Sequence, residues 1–281
     1  MNILFIGGGN MARAIISGLC ANEANNNTGE ANKIAVIEPF AATAASLQAQ
    51  FPVTIFESAT QYLASASLPA DVIVLAVKPQ MMQAALAPFK AKLKGVVVSI
   101  AAGITTSAIA NWLEADDVNE KLKLAVVRAM PNTPAMIHAG ITGLYAAQHV
   151  DSAARGLATD LLSTVGKTQW FDDEAMLDAV TAVSGSGPAY VFYFIEALEA
   201  AALSFGFSPK QAREFALETF RGGALLAAQS SDSPATLRAQ VTSKGGTTEA
   251  AISQLDSLHV KAHIVAAVQA AQARSKQLGA A

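Results

Sequence analysis

The first half of the chain alternates short runs of β-branched residues with alanine-rich stretches. The runs are apolar throughout instead of at every second position, which is typical of strands that helices cover on both faces. Six such runs lie at residues 2–6, 33–37, 53–56, 71–77, 96–100 and 123–129. Strands of this kind, separated by helical stretches, predict an α/β fold with a doubly wound parallel sheet.

The second half of the chain has a different pattern. From about Glu174 onward the sequence is almost entirely of helical type. We therefore predict two domains, with residues 1–172 forming the sheet domain and residues 173–281 forming an all-α helical domain.

Two local signals mark the ends of elements. The segment Asn22–Asn32 is rich in asparagine and has no apolar residue except alanine, which predicts an exposed loop after the first helix. In the second half, Ser208 stands at a predicted N-cap, followed by Pro209 in the first turn and Gln211 at the capping-box position.

Composition argues against nucleic-acid and membrane partners. Only 15% of the 281 residues are charged and the net charge is −3, whereas a nucleic-acid partner favours a basic face. The apolar stretch Gly95–Ile104 is shorter than the roughly 20 residues of a membrane span. The N-terminus lacks the basic leader of a signal peptide, so we expect a cytoplasmic protein.

Cysteine and histidine give no sign of a metal site. Cys20 is the single cysteine, and we expect it to be a small buried apolar residue of the first helix. His259 and His263 are spaced to share one face of a helix, but no third ligand accompanies them. We predict no bound metal.

The segment "ILFIGGGNMARAI" joins the first strand to the first helix through glycines. Gly7, Gly9 and Ala12, with Asn10 and Met11 between them, follow the G-x-G-x-x-A pattern of dinucleotide-binding turns. Glycine allows a tight turn and close backbone approach, so a pyrophosphate can meet the N–H groups at the start of the helix. A plain strand-to-helix turn is the alternative.

Glu38 ends the second strand, where an acidic residue can accept hydrogen bonds from the adenosine ribose. A carboxylate at this position repels a 2′-phosphate, which favours NADH over NADPH. The alternative is a solvated glutamate at the end of a strand.

Further candidates follow other predicted strands. In an open α/β sheet, ligands bind beyond the carboxyl ends of the strands, so position alone makes these residues candidates. The small residues Ala101 and Ala102 leave room for a nicotinamide ring against the backbone. The complete set is Lys78, Ala101, Ala102, Asn132 and Thr133. Ordinary turn chemistry is the alternative for each of them taken alone.

The segment Ser184–Tyr190, "SGSGPAY", interrupts the first helical run, which restarts at Pro188. Its small residues suit a close approach to the nicotinamide end of the cofactor, which makes Ser184 a candidate; tight helix packing is the alternative. We interpret the aromatic run Tyr190–Leu198 as core and interface.

Five motifs together resemble pyrroline-5-carboxylate reductases: "FIGGGNMARAI", "AVKP", "AMPNTP", "VSGSGPAY" and "VTSKGGTTEAAISQLD". The similarity covers essentially the whole chain, and the last motif is the specific one. The resemblance implies a Rossmann-like NAD(P)-binding domain followed by a helical dimerisation domain. It implies reduction of L-1-pyrroline-5-carboxylate to L-proline with NADPH or NADH, at an active site where the domains meet.

The resemblance also implies a homodimer, and larger assemblies of dimers occur in the family. The composition of the helical domain agrees, because a domain rich in alanine and aromatics but poor in charge is expected to bury a face against a second copy. Glu38 departs from relatives that prefer NADPH, which often offer hydroxyls at this position. Cofactor preference is therefore the property that this sequence leaves open.

The stretch "TSKGGTTEA" is the predicted substrate loop. A carboxylate substrate needs an anion site, and the start of a helix after the two glycines supplies free N–H groups and a favourable dipole. We expect Thr248 to be the hydrogen-bonding partner of the imine nitrogen. The full predicted set is Ser243, Lys244, Gly245, Gly246, Thr247 and Thr248. A flexible break between helices is the alternative.

Two other classes of protein could share the predicted cofactor site: a dehydrogenase with a different substrate and a cofactor-sensing module. A 3-hydroxyacid dehydrogenase of similar build is expected to carry a catalytic lysine early in the helical domain, but no lysine follows the glycine segment before Lys210. A cofactor-sensing module without catalysis has no reason to keep the loop at Gly245–Thr248.

Overall fold

The computed structural model describes residues 1–25, 32–65, 69–114 and 124–279. In these ranges the strands are β1 Asn2–Ile6, β2 Lys33–Ile37, β3 Val53–Phe56, β4 Val72–Leu75, β5 Val96–Ser99, β6 Val126–Met130, β7 Gly140–Ala146 and β8 Gly166–Trp170. The helices are α1 Asn10–Asn25, α2 Ala41–Gln50, α3 Ala59–Ala64, α4 Met82–Leu86, α5 Thr106–Leu113, α6 Ser152–Ser163, α7 Met176–Val180, α8 Gly187–Ser204, α9 Pro209–Gln229, α10 Pro234–Gln240, α11 Thr247–Ser257 and α12 Val260–Gly279.

All eight strands form one sheet in the order β3-β2-β1-β4-β5-β6-β7-β8. The first six strands pair in parallel, and their order is that of doubly wound dinucleotide-binding sheets. Alternate residues of β1 belong to two different clusters, Ile3 and Phe5 to one and Leu4 and Ile6 to the other. The inner strands β1, β4 and β5 are therefore buried on both faces, and the six predicted strands are confirmed.

The sequence analysis missed β7 and β8. Strand β7 runs antiparallel to β6 and β8 runs parallel to β7, so the sheet is mostly but not entirely parallel. Both strands contain glycines, which are depleted in strands, and this hides them from a propensity argument. The glycines allow close approach: a Cβ on Gly143 would lie 2.9 Å from the Val180 side chain.

Two expectations for the first helix need correction. Helix α1 continues to Asn25, so residues 22–25 of the predicted loop are helical, and residues 26–31 lie outside the described residues. Cys20 is only half-buried and packs at the margin of the core.

The contacts divide the chain into two compact units. The first unit contains residues 1–185 together with 272–281, and the second contains residues 186–271. This division follows Gly185, whereas the boundary predicted from the sequence follows residue 172. The predicted boundary separates a cofactor-binding domain from a dimerisation and substrate-binding domain, which contacts alone do not test, so it stays a prediction.

The second unit consists of helices that bury very little of their own apolar surface. Its predicted cap is confirmed, since Ser208 and Gln211 form a reciprocal capping box at the start of α9. Across residues 186–271, which are all described, Ala212 and Ala216 are the only buried apolar residues. In the aromatic run, Phe192 is 59% exposed and Tyr193 is 71% exposed, so this run is not core within one chain.

The two histidines do not share a helix as predicted. His259 adopts a left-handed backbone conformation with φ of 52° and directly precedes α12, whereas His263 lies within that helix.

None of the helices in the described ranges combines the length and the apolar character needed to cross a bilayer.

Candidate functional site

The glycine turn after β1 is held between the ends of two neighbouring strands. The N–H of Gly7 donates to the carbonyl of Ile37 at 2.9 Å, and the N–H of Ala76 donates to the carbonyl of Ile6 at 2.9 Å. Gly7 has φ of +101°, a region that residues with a Cβ rarely adopt. A Cβ at this position would lie 2.9 Å from the Ala76 carbonyl oxygen, so the turn requires glycine.

Gly9 borders open space at the start of α1. No heavy atom lies within 4 Å of a Cβ built on Gly9, and both Gly9 and Asn10 are exposed. Met11 is half-buried and Ala12 is fully buried beneath the turn. The first N–H groups of a helix have no intrahelical partner, so the turn offers donors beside a cradle that a side chain would fill. These features fit a pyrophosphate group.

Glu38 is buried and bonded to this same turn. The residue is 6% exposed; one carboxylate oxygen accepts the N–H of Gly8 at 2.9 Å and the other accepts the N–H of Phe40 at 2.9 Å. Two backbone donors thus fix a negative charge beside the glycines. The alternative of a solvated glutamate is excluded.

The other predicted cofactor residues follow the carboxyl ends of parallel strands. Lys78 is exposed after β4, and the N–H of Ala101 donates to the buried Ser99 hydroxyl at 3.4 Å after β5. Ala102, the next residue, is half-buried. The Asn132 side-chain oxygen accepts the N–H of Ile141 at 3.0 Å, which anchors the segment after β6.

Two further predicted cofactor residues lie in irregular helical turns. Thr133 is exposed at the start of the 3₁₀ turn Thr133–Ile137. Ser184 lies in a π-helical turn, Thr181–Gly185, and its hydroxyl donates to the Val180 carbonyl at 3.1 Å. Turns of the π type occur frequently at functional sites.

The predicted substrate loop opens α11, as expected. Gly246 is the N-cap and provides no side-chain cap, whereas Gly245 has φ of +74°. A Cβ on Gly246 would lie 2.6 Å from the Ser243 hydroxyl oxygen and 3.0 Å from the Ser243 carbonyl oxygen, so a side chain at this position would be tightly packed against the loop. In this loop Ser243, Lys244 and Thr247 are exposed, while Thr248 is half-buried.

The loop already binds one carboxylate, that of its own Glu249. The N–H of Gly245 donates to Glu249 Oε2 at 2.6 Å. A short bond of this kind is charge-assisted. One backbone N–H of this loop therefore already binds a carboxylate oxygen.

The sequence analysis missed a buried charge cluster in the first unit. Arg128 of β6 pairs with Glu174 at 3.5 Å and with Asp178 at 3.2 Å. The hydroxyls of Thr106 and Ser275 donate to these carboxylates. The available signal was an arginine inside an otherwise apolar strand, because an arginine is almost never buried without a partner.

The strand order and the glycine turn define the class of Rossmann-type dinucleotide-binding proteins. Comparison with known proteins agrees: residues 2–103 match the family model for NADP oxidoreductase, coenzyme F420-dependent. Residues 174–278 match the model for pyrroline-5-carboxylate reductase dimerisation.

Relatives extend the similarity over the full length. The pyrroline-5-carboxylate reductase of Pseudomonas aeruginosa is 43% identical over 98% of this chain and 96% of its own. The structure of the Coxiella burnetii enzyme matches with a TM-score of 0.84 at 37% identity, covering 99% of this chain and 98% of that one. The Plasmodium falciparum pyrroline carboxylate reductase, solved with NADP bound, has a TM-score of 0.80 at 26% identity and the same coverage. The chain belongs to the pyrroline-5-carboxylate reductase family, and the predicted family and fold class are confirmed.

The geometry of the glycine turn predicts very different effects of two similar substitutions on stability. Gly7→Ala is expected to lower the free energy of unfolding by about 2 kcal/mol, because alanine must adopt a positive φ against the Ala76 carbonyl. Gly9→Ala is expected to change it by less than about 0.5 kcal/mol, because its Cβ enters open space. Urea unfolding of both variants measures the difference, and an equal loss would contradict the geometry.

Proposed function

We propose that this protein reduces L-1-pyrroline-5-carboxylate to L-proline with NADPH or NADH, the last step of proline biosynthesis. The observation that carries the proposal is full-length similarity to proteins named as this reductase. Oxidation of NADH or NADPH with pyrroline-5-carboxylate as the only acceptor tests it. A 3-hydroxyacid tested with NAD⁺ is the control for the other class of dehydrogenase.

The proposed cofactor site lies at the carboxyl edge of the sheet. The glycine turn holds the pyrophosphate, Glu38 accepts from the adenosine ribose, and the remaining residues border the nicotinamide half. When bound, NAD(P)H supplies the hydride for the C=N carbon of the substrate. The proposed residues are Gly7, Gly9, Asn10, Met11, Ala12, Glu38, Lys78, Ala101, Ala102, Asn132, Thr133 and Ser184.

The proposed substrate site is the loop that opens α11. Its backbone N–H groups and the hydroxyls of Ser243 and Thr247 bind the substrate carboxylate, with Lys244 adding positive charge. The bond from Gly245 to the Glu249 carboxylate supports this role, because the substrate presents the same chemical group. The hydroxyl of Thr248 donates to the ring nitrogen, which must hold a proton once the carbon has received hydride.

The helical part of the chain is proposed to build a homodimer, with larger assemblies formed from dimers. The match to the dimerisation model supports this, as do the exposed apolar side chains of the second unit. We keep the functional division at residues 1–172 and 173–281, which the start of that model at residue 174 supports. A cytoplasmic location is part of the same proposal.

Glu38 is expected to set the preference for the cofactor. The wild type should have a higher kcat/KM with NADH than with NADPH, because the fixed carboxylate repels a 2′-phosphate. Glu38→Ser should shift the ratio toward NADPH. Steady-state kinetics with both cofactors measure this. A wild type that prefers NADPH by about tenfold, or about 1.4 kcal/mol, would refute the assignment.

Thr248→Val keeps the shape of the side chain and removes the donor. We expect kcat/KM for pyrroline-5-carboxylate to fall by about one to two orders of magnitude, or roughly 1.4–2.7 kcal/mol, while NADH affinity barely changes. Thr247→Val is the matched neighbour and should cost less. Near-normal turnover by a folded Thr248→Val enzyme would leave the loop with carboxylate binding alone.

The second unit predicts that the protein is not a stable monomer. Phe192, Tyr193, Phe205 and Phe215 are between 59% and 78% exposed in one chain, and covering such surface strongly favours association. Sedimentation or light scattering at micromolar concentration should detect dimers or larger species. A well-behaved, active monomer would contradict this.

A further inference from the structure

Arg128 is a charged side chain enclosed by an apolar sheet. It is 4% exposed, and the register of β6 places it beside Ser99 of β5 and Tyr145 of β7. Its guanidinium reaches two carboxylates through different nitrogens, Nη1 to Glu174 and Nη2 to Asp178. One buried cation thus holds two acidic side chains that lie just before and within α7.

Each carboxylate extends the contact to another part of the first unit. Glu174 accepts the backbone N–H of Thr106 at 2.8 Å and its hydroxyl at 3.1 Å. Thr106 is the first residue of α5 and follows directly on the loop at residues 101–105. Asp178 accepts the hydroxyl of Ser275, near the end of α12, at 3.0 Å.

Three segments that carry proposed cofactor residues directly precede or follow elements that contain residues of this network. The loop at residues 101–105 contains Ala101 and Ala102. Residues 131–133 continue the strand of Arg128 itself. The π-helical turn at residues 181–185 continues α7 without a break and packs on β6, since a Cβ on Gly185 would lie 2.6 Å from the Met130 side chain.

A buried ion network is a poor way to gain stability, because desolvation offsets most of the attraction and apolar residues of equal volume do as well. Such a network can instead fix geometry, since a planar guanidinium holds its partners in set directions. We propose that Arg128 is a positioning residue, which through Glu174 and Asp178 aligns the three segments that border the nicotinamide half of the cofactor. This inference rests on the proposed function.

The test uses Arg128→Lys in the full-length protein. Lysine keeps the charge but cannot hold two carboxylates in a fork. Misplacement of reacting groups by about 1 Å can cost about a hundredfold in rate, so we expect kcat to fall at least about tenfold. The KM values for NADH and pyrroline-5-carboxylate should stay within about threefold, because Glu38, Gly9 and the α11 loop are untouched. The isotope effect on kcat with NADH deuterated at the transferred position should rise as hydride transfer becomes limiting.

Arg155 provides the matched control. It donates to the carbonyls of Val150 and Ala146 and lies 4.9 Å from the centre of the Trp170 ring, with no carboxylate among these partners. Arg155→Lys is therefore expected to lower Tm without changing kcat by more than about twofold when assayed below the transition. An equal loss of kcat in both variants would overturn the positioning role.

Thr106→Val provides a second test that keeps the charges in place. It removes only the hydroxyl bond to Glu174 and should lower kcat by about threefold, with KM for NADH unchanged. If Arg128→Lys does not fold, the kcat and the isotope effect of Thr106→Val test the positioning role alone. Normal kcat and a normal isotope effect in either folded variant overturn the inference, whereas a wild type that does not reduce pyrroline-5-carboxylate overturns the proposed function itself.

Discussion

The candidate site depends on the close backbone contact between Gly7 and the ends of two strands. Gly7 bonds to Ile37 of β2 and lies against Ala76, which follows β4, so the chain leaves β1 between its two neighbours. Any residue with a Cβ would push the turn away from Ala76 and move the start of α1 with it. The free N–H groups of that helix, and the position of Glu38 on Gly8, both follow from this contact.

The sequence predicts the parallel strands well, because apolar runs separated by helical stretches form strands that helices cover. Residues 2–6 and 33–37 are strands with the predicted bounds, and most of their side chains are buried, as expected for apolar runs that helices cover on both faces. Strands β7 and β8 were missed, since their glycines serve close approach to other elements. That purpose is visible only in three dimensions: Gly166 has φ of +145°, and a Cβ there would overlap Gly140. Propensity carries no information about such contacts.

Some features of the candidate site could likewise be predicted from the sequence, and others could not. The glycine turn, the place of Glu38 at the end of β2 and the start of α11 could be predicted as local structure, because each sequence pattern encodes a local backbone geometry; their roles in binding are proposals. The bonds of Glu38 to Gly8 and Phe40 could not be predicted, nor could the bond of Gly245 to Glu249, since a carboxylate in a sequence does not reveal its donors. The aromatic run Tyr190–Leu198 was assigned to both core and interface; Phe192 and Tyr193 of this run are exposed in a single chain, which supports the interface assignment alone.

Buried polar groups connect these observations. Burying a hydroxyl or a charge costs free energy unless it is paired, so a sheet this apolar should retain few of them. Within the described residues they are Glu38, Ser99, Thr106, Arg128, Thr142 and Ser275. Except for Thr142, each is bonded to the glycine turn, to the loop after β5 or to the Arg128 cluster. Buried polar groups therefore occur mainly where they hold the loops and turns near the ends of the parallel strands, and most of the proposed cofactor residues lie in those same segments.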